Sequence, residues 1–274
     1  MPLVSIILPT YNGARFIRRA IESVRAQSVT DWELLIVNDG SSDATGSLIT
    51  EISAIEPRIR ILNFRENKGI QKALNEGLLQ SKGEYIARID DDDVWSDAHK
   101  LDKQLTFMAE NPDCVLVGTG LVVQNENGDE LYRFLNPVSD FEIRCRILYR
   151  NCFSHSTVLF KKAAALKFNG YDESELARHT EDYDLWLKLG TVGSFANLPE
   201  YSVRFTSRPG NISSKNKLSQ FRHQLAITGQ YRGKYPGYIA ARIKSYLRLW
   251  LYAALGAFVS SKMQARFIGY YKRV

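Results

Sequence analysis

Four short apolar, β-branched runs, each followed by a stretch with helical spacing, limit the possible folds of this chain more than any other feature. The runs are Val4 to Leu8, Trp32 to Val37, Ile59 to Leu62 and Tyr85 to Ile89. The segments after them, Ala14 to Ala26, Asp43 to Ile55, Ile70 to Ser81 and Asp97 to Glu110, read as helices. Such alternation predicts a parallel sheet with helices packed on its faces. Parallel strands bring their carboxyl ends to one edge, and open α/β sheets bind ligands in the crevice there. That edge can be written down from the sequence. Pro9, Thr10, Tyr11 and Asn12 follow the first strand, Asn38, Asp39 and Gly40 the second, Asn67, Lys68 and Gly69 the third, and Asp90 to Asp93 the fourth.

The last of these ends, in YIARIDDDDVW, places four carboxylates in a row. Two unit charges about 4 Å apart repel by roughly 4 kcal/mol at the effective dielectric near a protein surface. A chain keeps such a run on a solvated loop, beside cations, or around a bound divalent ion. The simpler alternative is a helix cap, because Ser96 and Asp97 follow and a helix N-terminus favours acids. One or two acids would satisfy that, and here there are four. TYNGARF after the first strand lacks GxGxxG, and no GxxxxGK[ST] occurs, so neither a dinucleotide fold nor a P-loop is indicated. A haloacid-type phosphotransferase would place an aspartate where Thr10 and Tyr11 stand. A sugar-nucleotide pyrophosphorylase would place a glycine-rich basic loop there.

Beyond the acids the pattern changes. CVLVGTGLVVQ and ELYRFL flank NENGD, and Asn127-Gly128 is a hairpin-turn signal, so the sheet becomes mixed. Residues 139–150 read as a helix, Ser156 to Phe160 as a strand and Lys161 to Lys167 as a short helix. In HTEDYDLWLKLG, Thr180 is placed as an N-cap, with Glu181 and Asp182 in the first turn and Leu185, Trp186 and Leu189 facing a core. That pair is either a favourable charge at a helix start or a general base held by a rigid helix terminus. Among the scattered histidines, His155 in NCFSHSTVLF lies beside a strand start, as a buried hydrogen-bonded side chain or a functional one.

Taken together, VSIILPTYNG, WELLIVNDGSSD, NKGIQKALNEG, ARIDDDDVW, FSHSTVLFKK with NGYDE, and TEDYDLWLKL resemble glycosyltransferase family 2, inverting enzymes of the GT-A fold. The ordered set covers roughly residues 3–213. The resemblance implies an α/β, Rossmann-like sheet in a catalytic domain over 1–213, with a nucleotide-sugar half (1–110) and an acceptor half (111–213), and a helical extension over 214–274. It implies that Tyr11, Thr10 and Asp39 hold the nucleotide, with Pro9, Asn12, Lys72, Arg88 and His155 around the donor. Asp90 and Asp92 take the DxD positions, one acid on the sugar or ribose and the later one on Mg2+ or Mn2+, with Asp91 or Asp93 able to share the task. Asp182 matches the catalytic base and Glu181 its supporting neighbour. The chain departs from the family where YSVRFTSRPGNISS carries Arg208 in place of a histidine. An arginine cannot ligate a metal but grips phosphate oxygens in a bidentate fork, so Arg208, with Arg204, is expected to clamp the diphosphate. The partners so implied are a nucleotide-sugar donor, UDP-linked by preference, and a glycan or lipid-linked acceptor in surface-glycan synthesis. A catalytically silent glycan-binding module and a nucleotidyltransferase are the rival readings.

Charge adds one further expectation. The formal net charge of +6 over 274 residues conceals a division: residues 1–199 hold 22 Lys/Arg against 29 Asp/Glu, and residues 200–274 hold 14 against Glu200 alone. A basic segment suggests an anionic partner, and with no nucleic-acid motif beside it, lipid or phosphate ranks above nucleic acid. Tyr246 to Val259 is almost wholly apolar yet shorter than the roughly 20 residues that span a bilayer. It must be buried in a membrane interface, with residues 242–273 on anionic lipid, or against protein, either the catalytic domain or a second copy in a homodimer. Three cysteines without metal spacing, and a short apolar N-terminal run, suggest a cytoplasmic protein, peripheral at most on the inner membrane face.

Overall fold

The computed structural model describes residues 2–208 and 217–256. The PGNIS stretch, the expected boundary at 213/214 and Lys262, Arg266, Lys272 and Arg273 lie outside the described residues. The strands are β1 (Val4–Thr10), β2 (Trp32–Asn38), β3 (Ile59–Asn63), β4 (Tyr85–Arg88), β5 (Val94–Trp95), β6 (Cys114–Gln124), β7 (Glu130–Phe134), β8 (Leu159–Lys161) and β9 (Ser194–Thr206). The helices are α1 (Ile17–Arg25), α2 (Thr45–Ile55), α3 (Ile70–Gln80), α4 (Lys100–Glu110), α5 (Asp140–Ile147), α6 (Lys162–Leu166), α7 (Glu181–Leu189), α8 (Lys217–Thr228) and α9 (Tyr238–Gly256).

One sheet runs in the order β3-β2-β1-β4-β8-β6-β9-β5, with β7 paired to β6. The first four strands are parallel, as the alternation requires. β8 then lies antiparallel between β4 and β6, and β9 runs parallel to β6, which makes the sheet mixed. β4 is therefore the seam between the two halves. Alternating residues divide the core: Ile6, Leu8, Leu34 and Ile36 pack on one face with Ile17, Ile21 and Leu101. Ile7 and Val37 pack on the other with Leu74, Leu78, Phe160 and Trp186. Each such Ile or Leu, fully buried, contributes roughly 1.5–3 kcal/mol relative to exposure.

Several boundaries differ from the sequence reading for local reasons. The acids do not cap the next helix, because β5 intervenes and α4 starts at Lys100; Asp97 Oδ1 accepts from His99 N–H (2.9 Å) instead. His155–Thr157 forms a 3₁₀ turn, so the strand expected from Ser156 starts at Leu159. Thr180 precedes α7, but its hydroxyl donates to the Ala177 carbonyl (3.2 Å) rather than accepting from the helix. The hairpin stands as read: Asn125 Oδ1 accepts from the Asn127 and Asp129 N–H groups (2.9 Å each), and Gly128 takes φ 91°, which favours glycine. The extension packs on the rest of the chain, with Ile227, Tyr231, Tyr235 and Ala241 sharing the core of Trp186.

Candidate active site

At the carboxyl rim the strand ends hold one another before any ligand is considered. Pro9 and Thr10 close β1 beside Val37 and Asn38. The chain then turns at Asn12, whose φ of 54° is left-handed and tolerated by asparagine. Asn12 Oδ1 accepts from the Ser42 (2.9 Å) and Asp43 (3.3 Å) N–H groups, tying this turn to the loop after β2. Tyr11 stands exposed above it. Asp39 is buried, and its carboxylate accepts from the Lys68 (2.7 Å) and Gly69 (2.9 Å) N–H groups. It thus anchors the loop into α3, a role the sequence reading missed. Lys72 is exposed in the first turn of that helix.

The acid turn is closed by Asp93 N–H donating to Asp90 O (3.2 Å). Asp90 pairs with Arg88 and accepts from the Ser156 hydroxyl (3.3 Å), while its N–H donates to Ser156 Oγ (3.0 Å). Asp91 accepts from the Thr10 hydroxyl (2.6 Å). Asp92 receives the Arg208 guanidinium (2.9 Å), which also lies 4.6 Å over the Phe16 ring. Asp93 is 2% exposed. Burial, reinforced by Asp92 and Asp90 and opposed by Thr10, pushes Asp91 up to about 7. Burial, with Asp90 adding to it, likewise raises Asp92 and Asp93.

Gly13 makes this turn possible. A Cβ there would lie 2.2 Å from Asp91 Oδ2 and 2.5 Å from Thr10 Oγ1. Gly13→Ala is therefore expected to break the Thr10–Asp91 bond and lower the melting temperature by several degrees, as about 1–2 kcal/mol would. Thermal melts of the two proteins check it.

The second pair of acids comes from α7. Asn151 Nδ2 donates to Asp182 Oδ2 (2.8 Å). Burial raises the Asp182 carboxyl, against the opposing Tyr183 N–H, Asn151 and the Arg88 charge. Burial and then Asp182 push Glu181 up to about 7. The charges of Arg88 and Asp90 act on both, so the structure brings the acid turn and the α7 pair into one electrostatic neighbourhood. Arg88 is 3% exposed and lies beneath these acids, not on the rim where a direct donor contact was expected. His155 is packed: its Nε2 is 3.0 Å from Tyr171 Oη and its ring meets Trp186 edge-on. Burial and then Arg88 hold its imidazole well below the ordinary range. Arg204 is exposed on β9, and its charge acts on Glu130. Ser156 and Asn151 were missed, although both lie in the NCFSHS stretch that His155 had marked.

Among the described residues no three His, Cys, Asp or Glu side chains form a ready metal cage. A Mg2+ or Mn2+ ion held by one or two carboxylates and completed by substrate phosphates needs none. The residues fit such an ion. Asp90 and Asp92 keep hard oxygen donors at the rim, with side chains 37% and 13% exposed, and Asp92 already accepts a cationic group. Asp93 Oδ1 and Glu181 Oε2 are buried with no hydrogen-bond partner among the described residues, which leaves the neighbourhood short of positive charge.

Comparison with known proteins gives the family and the fold. The family model described as Glycosyl transferase family 2 matches residues 5–173. The O-antigen biosynthesis glycosyltransferase WbnJ of Escherichia coli is 32% identical over 190 residues, 69% of this chain and 72% of that protein. Among solved structures, S. aureus TarS 1-349 in complex with UDP-GlcNAc superposes with a TM-score of 0.72 at 19% identity, covering 98% of this chain and 79% of that one. The mannosyltransferase PcManGT from Pyrobaculum calidifontis, in complex with GDP-Man and Mn2+, gives 0.64 at 18% identity, covering 100% and 81%. At these identities the structures speak for the GT-A fold.

Proposed function

The chain belongs to glycosyltransferase family 2, an inverting family, and from that premise we propose that it moves a sugar from a UDP-linked donor to a saccharide or lipid-linked saccharide in surface-glycan synthesis. The observation that carries this is the meeting of the acid turn after β4 with Glu181 and Asp182 around buried Arg88. UDP is favoured by the TarS complex with UDP-GlcNAc, and surface glycan by the O-antigen role in WbnJ's name.

Tyr11 and Asn12 at the surface, with Pro9, Thr10 and Asp39 buried beneath them, form the nucleotide wall. Asp90 and Asp92 take the ribose or sugar and the ion. When bound, a divalent cation supplies positive charge against the diphosphate as it leaves. Asp182 accepts the proton of the attacking acceptor hydroxyl, and its raised carboxyl is closer in basicity to a neutral-pH task than an ordinary aspartate. Asn151 holds it in place, and Glu181 is the neighbouring acid at the same helix start. A single displacement from the face opposite the diphosphate inverts the anomeric centre, with no covalent intermediate.

Arg208 has two stations in this reading: on Asp92 without donor, and on diphosphate oxygens with it. Arg208→Ala is expected to raise the donor KM about ten- to hundredfold, the value of a charge-assisted hydrogen bond. If KM and kcat both stay at wild-type values, that role is wrong. The test of the whole reading is release of nucleoside diphosphate from a nucleotide sugar in the presence of Mn2+ and acceptor. A silent binding module releases none, and a nucleotidyltransferase releases pyrophosphate from a triphosphate.

A further inference from the structure

Helix α9 has two unlike faces. Ala241 and Ser245 are buried against the body of the protein, and Arg248 Nη2 donates to Gln224 Oε1 on α8 (3.0 Å). On the other side, Ile239, Ile243, Tyr246, Leu247, Trp250 and Leu251 are all exposed, Ile239 at 74% and Trp250 at 67%. At 100° per residue these six fall within an arc of about 140°, wider than a scatter of single surface apolar residues would give. Arg242 and Lys244 lie about 100° to either side of Ile243, one on each border of the apolar strip. Arg242 also bonds Tyr246 Oη (3.2 Å), and Lys244 lies 4.8 Å over the Tyr149 ring.

We propose that this face seats the protein on an anionic lipid surface, with the helix lying in the headgroup plane. Charge chooses the occupant. Residues 201–274 contain fourteen Lys/Arg and no Asp/Glu. A two-fold contact between copies through α9 would set two such segments against each other without a carboxylate to pair them. Residues 257–274 carry Lys262, Arg266, Lys272 and Arg273 and likewise no acid, so folding back on the strip would bring no countercharge. Anionic headgroups bring it, at roughly 1 kcal/mol for each nearby Lys or Arg, while Trp250 and Tyr246 have the amphipathic rings that favour that depth. No helix of the described residues is long and apolar enough to cross a membrane, so the helix lies on the surface.

The placement bears on the site. α8 packs against α9 on one side and against α7 and the turn at Glu175–Ala177 on the other, with His223 Nδ1 2.9 Å from Arg178 O. By this route the lipid plane is two helix packings, up to about 20 Å, from the element that carries Asp182. A lipid-linked acceptor would be presented at that distance; this clause alone rests on the proposed transfer, and the docking does not.

The test is flotation of the full chain, without donor, with vesicles of phosphatidylglycerol and phosphatidylcholine or of phosphatidylcholine alone. The protein is expected to float with the anionic vesicles, less so as salt rises, and its tryptophan emission to shift to the blue. Trp32, Trp95 and Trp186 are buried, so that shift reports Trp250. An Ile243→Asp, Leu247→Asp double variant, both changes at exposed positions, is expected to keep its melting temperature and lose at least about tenfold in partition. Wild type that stays with the aqueous phase overturns the proposal, as does a double variant that floats equally. A wild-type dimer that the double variant makes monomeric, with no vesicle binding by either, assigns the face to a second copy instead.

Discussion

Asp182→Asn is expected to lower sugar transfer by about 10²–10⁴-fold, the range for loss of a general base, while nucleotide-sugar binding is retained. The substitution keeps shape and removes basicity, and its amide oxygen can still accept from Asn151. A second readout is independent of turnover. Glu181 is pushed up to about 7 and Asp182 is raised with it, so between the ordinary carboxylate range and about 7 the folded state holds protons that the unfolded chain has released. Stability of the donor-free protein should therefore fall as pH rises through that window. In the variant, with one of the two buried charges gone, the fall should be shallower. Transfer assays, nucleotide-sugar titration and melts across pH check both parts. Undiminished transfer would remove Asp182 as the base.

The other large effect is on stability. Arg88→Met is expected to cost about 3–5 kcal/mol, because it takes the buried cation from Asp90 and leaves that carboxylate without its ion pair. Its charge also lowers Asp92, Asp93, Glu181 and Asp182, each of which burial drives upward. The carboxyls can take up protons instead of remaining charged, so the loss should be smaller at mildly acidic than at alkaline pH. Urea unfolding of both proteins at the two pH values measures this. A cost within about 0.5 kcal/mol, as for a surface substitution, would mean that Arg88 does not hold the acids together.

The sequence announced the parallel half well because period and punctuation agree there. β1 to β4 and the acids at their ends need only local rules to be placed. What it hid depends on contacts between distant segments. Ser156 meets Asp90 across 66 positions and Asn151 meets Asp182 across 31, and neither residue type is distinctive alone. Asp39 reads as a ligand contact until the N–H groups of Lys68 and Gly69 are seen upon it. Arg88 sits in a run that marks it as functional, but whether it touches a donor or lies under the acids is decided by burial. The C-terminal segment is legible as apolar and basic, yet its composition alone does not divide it between a lipid outlet and a protein one. α9 buries one side against protein and exposes the other, because a helix has more than one face to dispose of.

β4 bonds in parallel to β1 and antiparallel to β8, so hydrogen bonds cross the seam between the two halves without a break. A bilobal enzyme that opens about a linker can admit substrates by swinging its lobes apart. Here such a hinge would have to tear the ladder, so the strand that ends at the acid turn is held on both sides by backbone hydrogen bonds rather than by a linker.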